Sequence, residues 1–294
     1  MNSTSSSKDW LLLLFLLIVW GLNYAAIKVG LEYSAPLAFS FYRMLVGTIA
    51  SIPLLLRSWK SLKKFNRKTF LAALLLAVSA SVLFQGFWFL GEALVPAGLT
   101  AVVIYTYPLF TVIFTKLFLS DKLTALKVLG IVAGFTGIFL VLTSGRLNVS
   151  VDPYGIVLLL ISAISFAASF VVYRRWLTSF DRLALNSVQL FFATSILLVW
   201  TLLSNAPSLL QTKFTNVDFL VALLFTGILG TTFAYVIWMT LVSRRGPIWV
   251  STWLFLVPVI ALASSVLFLG ETIDLIQSLG FVIVLAGLGA VSRG

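Results

Sequence analysis

Ten runs of mostly apolar residues follow one another along the chain, each about as long as a helix that crosses a membrane. A helix rises about 1.5 Å per residue, so the roughly 30 Å hydrocarbon core of a bilayer requires about 20 apolar residues. The longest polar stretch between runs extends only from Arg57 to Lys68. The pattern predicts an all-α polytopic membrane protein whose function lies inside the helix bundle. The predicted spans are 10–31, 37–56, 70–91, 98–119, 126–144, 153–173, 184–204, 218–242, 247–269 and 276–291.

The composition supports the membrane assignment. Hydrophobic residues make up 61% of the 294 residues and charged residues only 10%. Soluble domains contain about 25% charged residues, so this chain has too little polar surface for a soluble globule. The first run also resembles a signal peptide, because Lys8 precedes it and Ala25-Ala26 lies near its end. Its full length and its counterpart in the second half favour a membrane span.

Basic residues are distributed unevenly between the two sides of the predicted bundle. The net charge of +11 would suggest a nucleic-acid partner in a soluble protein. If the spans alternate in direction, however, sixteen of the 20 basic residues lie on the side of the N-terminus. Membrane proteins retain basic loops in the cytoplasm, so we expect cytoplasmic termini, a prokaryotic plasma membrane and no nucleic-acid partner. The four basic residues outside this set are Lys28, Arg43, Arg146 and Lys213.

Several reaction classes lack the residues they require. The chain has no Cys and no His, which excludes thiol and imidazole catalysis, disulfides and Cys/His zinc sites. It also lacks a Gly-x-x-x-x-Gly-Lys phosphate-binding loop, so neither ATP drive nor a cofactor is expected. The nine acidic residues are scattered, which disfavours an intramembrane lipid-modifying enzyme. That enzyme and a channel or receptor remain as alternatives to a transporter.

The later spans repeat at a constant offset of 150 residues. Each predicted half, 1–147 and 148–294, contains five spans, so the second half enters the membrane from the opposite side. Inverted repeats of this kind are typical of secondary transporters that bind solute between the halves near the midplane. The first span aligns more weakly with the sixth, with Asn23 on Ser169. The pairs at offset 150 are Gln85 and Tyr235, Trp88 and Trp238, Pro108 and Pro258, Asp121 and Glu271, Gly130 and Gly280, and Gly137 and Gly287.

Several motifs stand out along the chain: Trp20-Gly21-x-Asn23, Pro36 followed by Arg43, Ala93-Leu94, Leu267-Phe268-Leu269-Gly270-Glu271, Gly280 and Gly287. Together they resemble the motifs of the drug/metabolite transporter superfamily and, within it, of the ten-helix EamA-type family. The resemblance covers nearly the whole chain. It implies a secondary transporter, which we expect to be an exporter, and leaves the solute open, since the family's solutes range from amino acids to drugs and pigments. The first half departs from the family's Leu-Gly-Glu turn with Ser120-Asp121.

Polar and aromatic residues recur on single helix faces and predict a solute cavity. Ser81, Gln85, Trp88 and Glu92 share one face of the third span, because their spacing follows the helical period. Polar groups in a span tend to face the bundle interior, and aromatic rings suit a moderately hydrophobic or cationic organic solute. Close helix packing is the alternative role, above all for the serines and prolines. The predicted solute-binding residues are Trp20, Asn23, Tyr24, Gln85, Trp88, Tyr105, Pro108, Ser165, Ser169, Tyr235, Trp238 and Pro258.

Few charged residues fall within or beside the spans. Glu92 is the candidate for a proton-coupling carboxylate, since no other acid lies this close to the polar stripe. Lys28 and Arg43 are expected to pair with Glu92 as an outer gate or to attract an anionic solute. A structural or interfacial ion pair is the alternative. Asp121 and Glu271 are expected to cap helix starts. Gly130 and Gly137 predict close helix contacts, either inside the chain or in a homodimer.

Overall fold

A computed structural model describes residues 3–95, 97–120, 123–143, 152–260 and 274–293. Helices account for 88% of the structure, and the described residues contain no strand. The helices are α1 (Ser3–Tyr33), α2 (Pro36–Leu62), α3 (Arg67–Glu92), α4 (Ala97–Ile104 and Tyr107–Phe118), α5 (Ala125–Thr143), α6 (Pro153–Leu177), α7 (Arg182–Asn205), α8 (Val217–Arg245), α9 (Pro247–Ile260) and α10 (Leu275–Arg293).

Apart from the four-residue helix Pro207–Leu210 between α7 and α8, the helices of the described residues match the predicted spans in number and order. Eight of the described helices are long and apolar enough to cross a membrane, and α9 and α10 are shorter apolar helices. The prediction of a polytopic all-α membrane protein is thereby confirmed. The last part of the predicted ninth span, 261–269, lies outside the described residues, as do Asp121 and Glu271 with their predicted capping roles.

Local sequence signals explain where several helices begin. A side-chain oxygen that caps the first turn satisfies a backbone N–H that has no partner in the helix. Asn66 accepts from the backbone N–H of Thr69 before α3, and Asp181 accepts from Leu183 and Ala184 in α7. Proline at the first position begins α2, α6 and α9, where its missing N–H costs no helical hydrogen bond.

The fifth and tenth helices pack against each other through glycines that are equivalent in the repeat. A methyl group added at Gly130 would lie 2.6 Å from the Gly287 carbonyl oxygen, and one added at Gly137 would lie 2.6 Å from that of Gly280. The residue numbers rise along α5 as they fall along α10, so the two helices run antiparallel. Antiparallel packing of equivalent helices is what an inverted repeat requires. The glycine contact is internal to the chain, so it offers no argument for the predicted homodimer.

Two π-helical turns, which are wider than α-helical turns, occur at positions that correspond to each other in the 150-residue repeat. Val78–Leu83 in α3 and Phe225–Phe233 in α8 are π-helical, and the 150-residue offset carries 78–83 onto 228–233. π-helical turns inside α-helices are rare and are frequent at functional sites. Their recurrence therefore makes the middle of α3 and the middle of α8 candidate functional regions.

The helices that contain Pro108 and Pro258 are interrupted just before the proline, whereas α2 continues through Pro53. Pro108 and Pro258 have no N–H, so the carbonyl four residues earlier loses its usual donor. The chain turns at Tyr105 and Thr106 in α4 and at Leu254 and Phe255 in α9. In each turn the hydrogen bonds tighten to i→i−3, with Thr106 N–H donating to Val103 at 3.1 Å and Phe255 N–H to Thr252 at 3.0 Å. Each predicted proline kink is thus a short break in the helix.

A buried carboxylate joins the first helix to the end of the eighth. Asp9 is 2% exposed and accepts from Arg244 Nη1 and from Arg245 Nε, each at 2.8 Å. The Arg245 guanidinium also lies over Trp249, at 5.6 Å from the ring centroid. Because each Asp9 oxygen has a cationic donor, this buried charge is compensated. The interaction lies at the end of the bundle that the basic residues predict to be cytoplasmic.

The glycine contact between α5 and α10 yields a direct test of the packing. We expect Gly137→Ala to lower the melting temperature of the detergent-solubilised protein by several degrees. The added methyl would meet backbone atoms of Gly280 and Val284, which cannot rotate away, and overpacking costs about 1–3 kcal/mol. Gly289→Ala, on α10, is the matched control because a methyl there meets nothing within 4 Å. Equal melting temperatures for the two variants would contradict this packing.

Candidate solute cavity

A cavity lies in the interior of the bundle between helices of both predicted halves. The space inside it that water molecules can occupy is about 40 Å³, so the cavity is narrow in this conformation and has to widen to admit an organic solute. The lining side chains come from α1, α2, α3, α4, α6, α8 and α9, so the cavity depends on the whole tertiary arrangement. The lining residues are Trp20, Asn23, Tyr24, Arg43, Phe84, Gln85, Trp88, Ile104, Tyr105, Tyr107, Phe166, Gly230, Tyr235 and Val257.

Eight residues singled out from the sequence line this cavity. They include Arg43, which the sequence analysis assigned to a gate. The sequence analysis missed the other six lining residues. The eight are Trp20, Asn23, Tyr24, Arg43, Gln85, Trp88, Tyr105 and Tyr235.

A hydrogen bond across the cavity joins two residues that are equivalent in the repeat. Gln85 Nε2 donates to the Tyr235 hydroxyl at 3.1 Å, and that hydroxyl donates to the Ala80 carbonyl at 2.8 Å. The Ser81 hydroxyl lies 3.4 Å from the same Tyr235 oxygen. The Ala80 carbonyl lies in the π-helical turn of α3, so the irregular backbone supplies part of this connection. The two halves therefore meet through a specific polar contact at the cavity.

Aromatic rings form much of the cavity wall. Phe84 and Phe166 stack with centroids 4.3 Å apart and planes 18° apart, and the Tyr107 ring meets Phe166 edge-on at 5.0 Å. The hydroxyls of Tyr24 and Tyr105 are 3.4 Å apart. Offset and edge-on pairs of this kind hold rings in defined positions. The wall therefore presents apolar surface with a few fixed polar groups.

A second polar cluster surrounds Gly230 in the π-helical turn of α8. Trp20 Nε1 donates to the Gly230 carbonyl at 3.1 Å, and Arg43 Nε donates to the Thr231 hydroxyl at 3.0 Å. A methyl group added at Gly230 would lie 2.6 Å from Asn23 Oδ1, so only glycine allows this approach. Asn23 therefore packs closely against Gly230 beside the cavity.

Four lining side chains each have a buried polar atom without a hydrogen-bond partner among the described residues. Two of these atoms are donors and two are acceptors. Buried polar groups are nearly always paired in proteins, so such a group at a cavity can bind a water molecule or a solute. The four atoms are Asn23 Oδ1, Arg43 Nη1, Gln85 Oε1 and Trp88 Nε1.

Some of the predicted solute-binding residues lie beside the cavity and not on its wall. The Ser169 hydroxyl donates to the Phe166 carbonyl of its own helix at 2.6 Å, and Ser165 is buried. Trp238 is 1% exposed, and its ring meets Phe170 at 5.0 Å. Pro108 and Pro258 are buried, and they shape the cavity indirectly through the helix breaks.

The outer charges do not form the predicted ion pairs. In the part of the chain that the structure describes, Arg43 pairs with no carboxylate and Lys28 is exposed. Glu92 is partly exposed and does not line the cavity, but its buried Oε2 has no partner within the described ranges. Arg43 is instead buried, and its Nε donates a hydrogen bond to the Thr231 hydroxyl of α8. The described residues also contain no group of three or more acidic side chains that could hold a metal ion.

Four of the lining residues that the sequence analysis missed lie at the helix breaks or in the π-helical turn of α8. Tyr107 and Val257 directly precede the two repeat prolines, so the breaks that those prolines cause bring them to the cavity. Ile104 ends the first segment of α4 at the same break. Gly230 lies in the π-helical turn. Phe84 and Phe166 are two of 25 phenylalanines, and nothing in their spacing distinguishes them from rings that face lipid.

Comparisons with known proteins agree with this architecture. The model of the EamA-like transporter family matches residues 8–143 and again residues 153–293. A crystal structure with 15% sequence identity matches with a TM-score of 0.82 over 98% of this chain and 97% of that chain, which shows a shared fold.

Relatives of similar length carry transporter names. An uncharacterised transporter, YvbV of Bacillus subtilis, is 27% identical over 99% of this chain and 94% of its own. A probable amino-acid metabolite efflux pump of Salmonella typhimurium is 29% identical over 96% of this chain and 94% of its own. The uncharacterised inner membrane transporter YedA of Escherichia coli K12 is 29% identical over 95% of this chain and 89% of its own. With two family matches that together span almost all of its length, this chain belongs to the EamA-like transporter family and is a multi-pass membrane transporter.

Proposed function

We propose that this chain is a secondary transporter that exports small organic solutes across the prokaryotic cell membrane by alternating access. The observation that carries the proposal is the interior cavity, whose wall comes from both predicted halves and contains the Gln85–Tyr235 hydrogen bond between them. A solute in this cavity contacts both halves at once. Its binding can therefore favour one relative position of the halves over another.

The paired irregularities of the backbone support a moving bundle. Breaks before Pro108 and Pro258 and π-helical turns in α3 and α8 place weakened helical hydrogen bonding at equivalent sites. In transporters with inverted repeats, such discontinuous helices surround the solute site while one half rocks against the other. The proposal includes cytoplasmic termini, as the basic residues indicate.

The cavity chemistry supports an organic solute of moderate polarity. Rings of Trp20, Tyr24 and Phe166 offer apolar surface, and a small number of amide and hydroxyl groups provide polar contacts. Amino acids and hydrophobic or cationic compounds are the candidate solutes. Two relatives named as probable amino-acid metabolite efflux pumps favour amino-acid-like compounds.

Counterflow in proteoliposomes tests the proposed transport. Vesicles with the purified protein are preloaded in turn with unlabelled amino acids, nucleosides, sugars or cationic drugs, and uptake of the labelled solute is followed. We expect saturable exchange for at least one class. Tyr235→Phe removes the hydroxyl that joins α8 to Gln85 and to the Ala80 carbonyl, and we expect it to raise the KM about tenfold.

Ser195→Ala is the control for the tyrosine variant, because the exposed Ser195 hydroxyl bonds only to its own helix at Phe191. Exchange with an unchanged KM is expected for this control. Steady conductance without saturation would support a channel instead, and the absence of exchange for every class would contradict the transport proposal.

Glu92 is proposed as the proton-coupling group. Its buried carboxylate oxygen has no partner among the described residues, and it follows Trp88 by one helical turn on the same face. An acid in this position can take up a proton from the outer side and release it after a change of conformation. Proton binding and solute binding would then alternate on adjoining parts of α3.

The coupling proposal predicts a selective effect of Glu92→Gln. The variant keeps the size and most of the hydrogen-bonding capacity of the side chain but cannot ionise. We expect it to abolish uptake driven by a pH gradient in proteoliposomes while retaining counterflow, which needs no gradient. Glu32→Gln is the matched control, since Glu32 is an exposed acid also predicted near the outer side. Gradient-driven uptake that is unchanged in Glu92→Gln would refute this role.

A further inference from the structure

Arg43 provides the cavity with a positive charge that no described residue neutralises. It is 3% exposed and is the one charged side chain among the described residues that line the cavity. Its Nε donates to the Thr231 hydroxyl at 3.0 Å, which fixes one edge of the guanidinium. Its Nη1 has no hydrogen-bond partner, and no carboxylate pairs with it in the described ranges.

A buried cation without a counter-charge is unfavourable unless something else supplies that charge. Removing a guanidinium from water costs several kcal/mol, which hydrogen bonds to neutral groups recover only in part. The nearest acidic candidate from the sequence, Glu92, lies outside the cavity wall. An anionic group on the transported solute would supply the missing charge and accept from Nη1.

The other unpaired atoms define what else such a solute carries. Asn23 Oδ1 and Gln85 Oε1 can each accept a hydrogen bond, and each side chain lies against a neighbour. Gly230 approaches Asn23 closely, while the Gln85 amide nitrogen donates to Tyr235. These oxygens suit an ammonium or hydroxyl donor on the same molecule.

The geometry points to a carboxylate-bearing solute, whose anionic group binds Arg43 Nη1 while a donor on the same molecule meets the amide oxygens of Asn23 and Gln85. This inference rests on the proposed transport function and narrows its range of solutes. One carboxylate balances the single guanidinium, whereas a doubly charged phosphate would leave a net negative charge in a buried site. The apolar body of the solute packs against the rings of Phe166 and Tyr24.

Binding of matched probes to the purified protein in detergent at pH 7 tests the inference. Each probe set shares one side chain and differs in its charged groups: leucine, 4-methylpentanoate and 3-methylbutylamine, then phenylalanine, 3-phenylpropanoate and 2-phenylethylamine. Affinities come from ligand-induced shifts in melting temperature. We expect the carboxylate-bearing members to bind at least about tenfold more tightly than the amines, because Arg43 attracts an anion and repels a cation.

Variants at Arg43 show whether this residue causes the preference. Arg43→Gln is expected to weaken the carboxylate probes about thirtyfold or more and to leave the amines no weaker. Arg43→Lys keeps the charge and is expected to keep part of the preference. Comparison of the two variants therefore distinguishes loss of the positive charge from loss of the folded structure. Lys28→Gln, which removes an exposed positive charge from α1, is the control and is expected to behave as the wild type.

Three results would overturn the inference: amines that bind as well as the carboxylates, carboxylates that do not bind at all, or a carboxylate preference that survives in Arg43→Gln. If Arg43→Gln does not fold, the wild-type preference and its reduction in Arg43→Lys decide the question. Counterflow separates this result from the proposed function. A protein that exchanges cations and binds no carboxylate remains a transporter but contradicts the role of Arg43.

Discussion

Hydrocarbon offers no hydrogen-bond partner, so each membrane-crossing segment must satisfy its backbone groups within the protein. Departures from regular helix are then tolerated only where protein or a cavity surrounds them. In this bundle several departures adjoin the cavity: the breaks before Pro108 and Pro258 place Tyr107 and Val257 on its wall, and the π-helical turn of α8 contributes Gly230. The same irregular segments that would be costly in lipid therefore build the proposed solute site.

The two halves are joined differently at different places in the bundle. Between α5 and α10 the contact is close and rests on backbone approach at glycines such as Gly130 and Gly287. At the cavity the halves meet through ring contacts and through hydrogen bonds from Trp20, Arg43 and Gln85 to α8. At one end of the bundle, Asp9 ties α1 to the last turn of α8. In the proposed motion of the halves, the two hydrogen-bonded contacts can exchange partners, whereas the glycine contact rests on backbone atoms.

Much of this architecture could be predicted because the relevant signals are periodic. Span lengths follow from the runs of apolar residues. The glycine pairs, and the pair Gln85 and Tyr235, follow from the 150-residue repeat. The remaining features depend on how far each helix is rotated toward its neighbours. Trp88 and Trp238 are equivalent in the repeat, yet only Trp88 lines the cavity, because Trp238 packs among Phe166 and Phe170. Asp9 gains its partners from a helix more than 200 residues away, which no local pattern reveals.

The central claim is that the interior cavity opens to the two sides of the membrane in turn. The chain has no cysteine, so Ile104→Cys introduces a single thiol on the cavity wall. Its reaction with a membrane-impermeant maleimide can be followed in inside-out and right-side-out vesicles. The account predicts labelling from both sides in separate experiments, with a transported solute slowing both reactions. Labelling from one side only, or labelling from both sides that no transported solute slows, would contradict it.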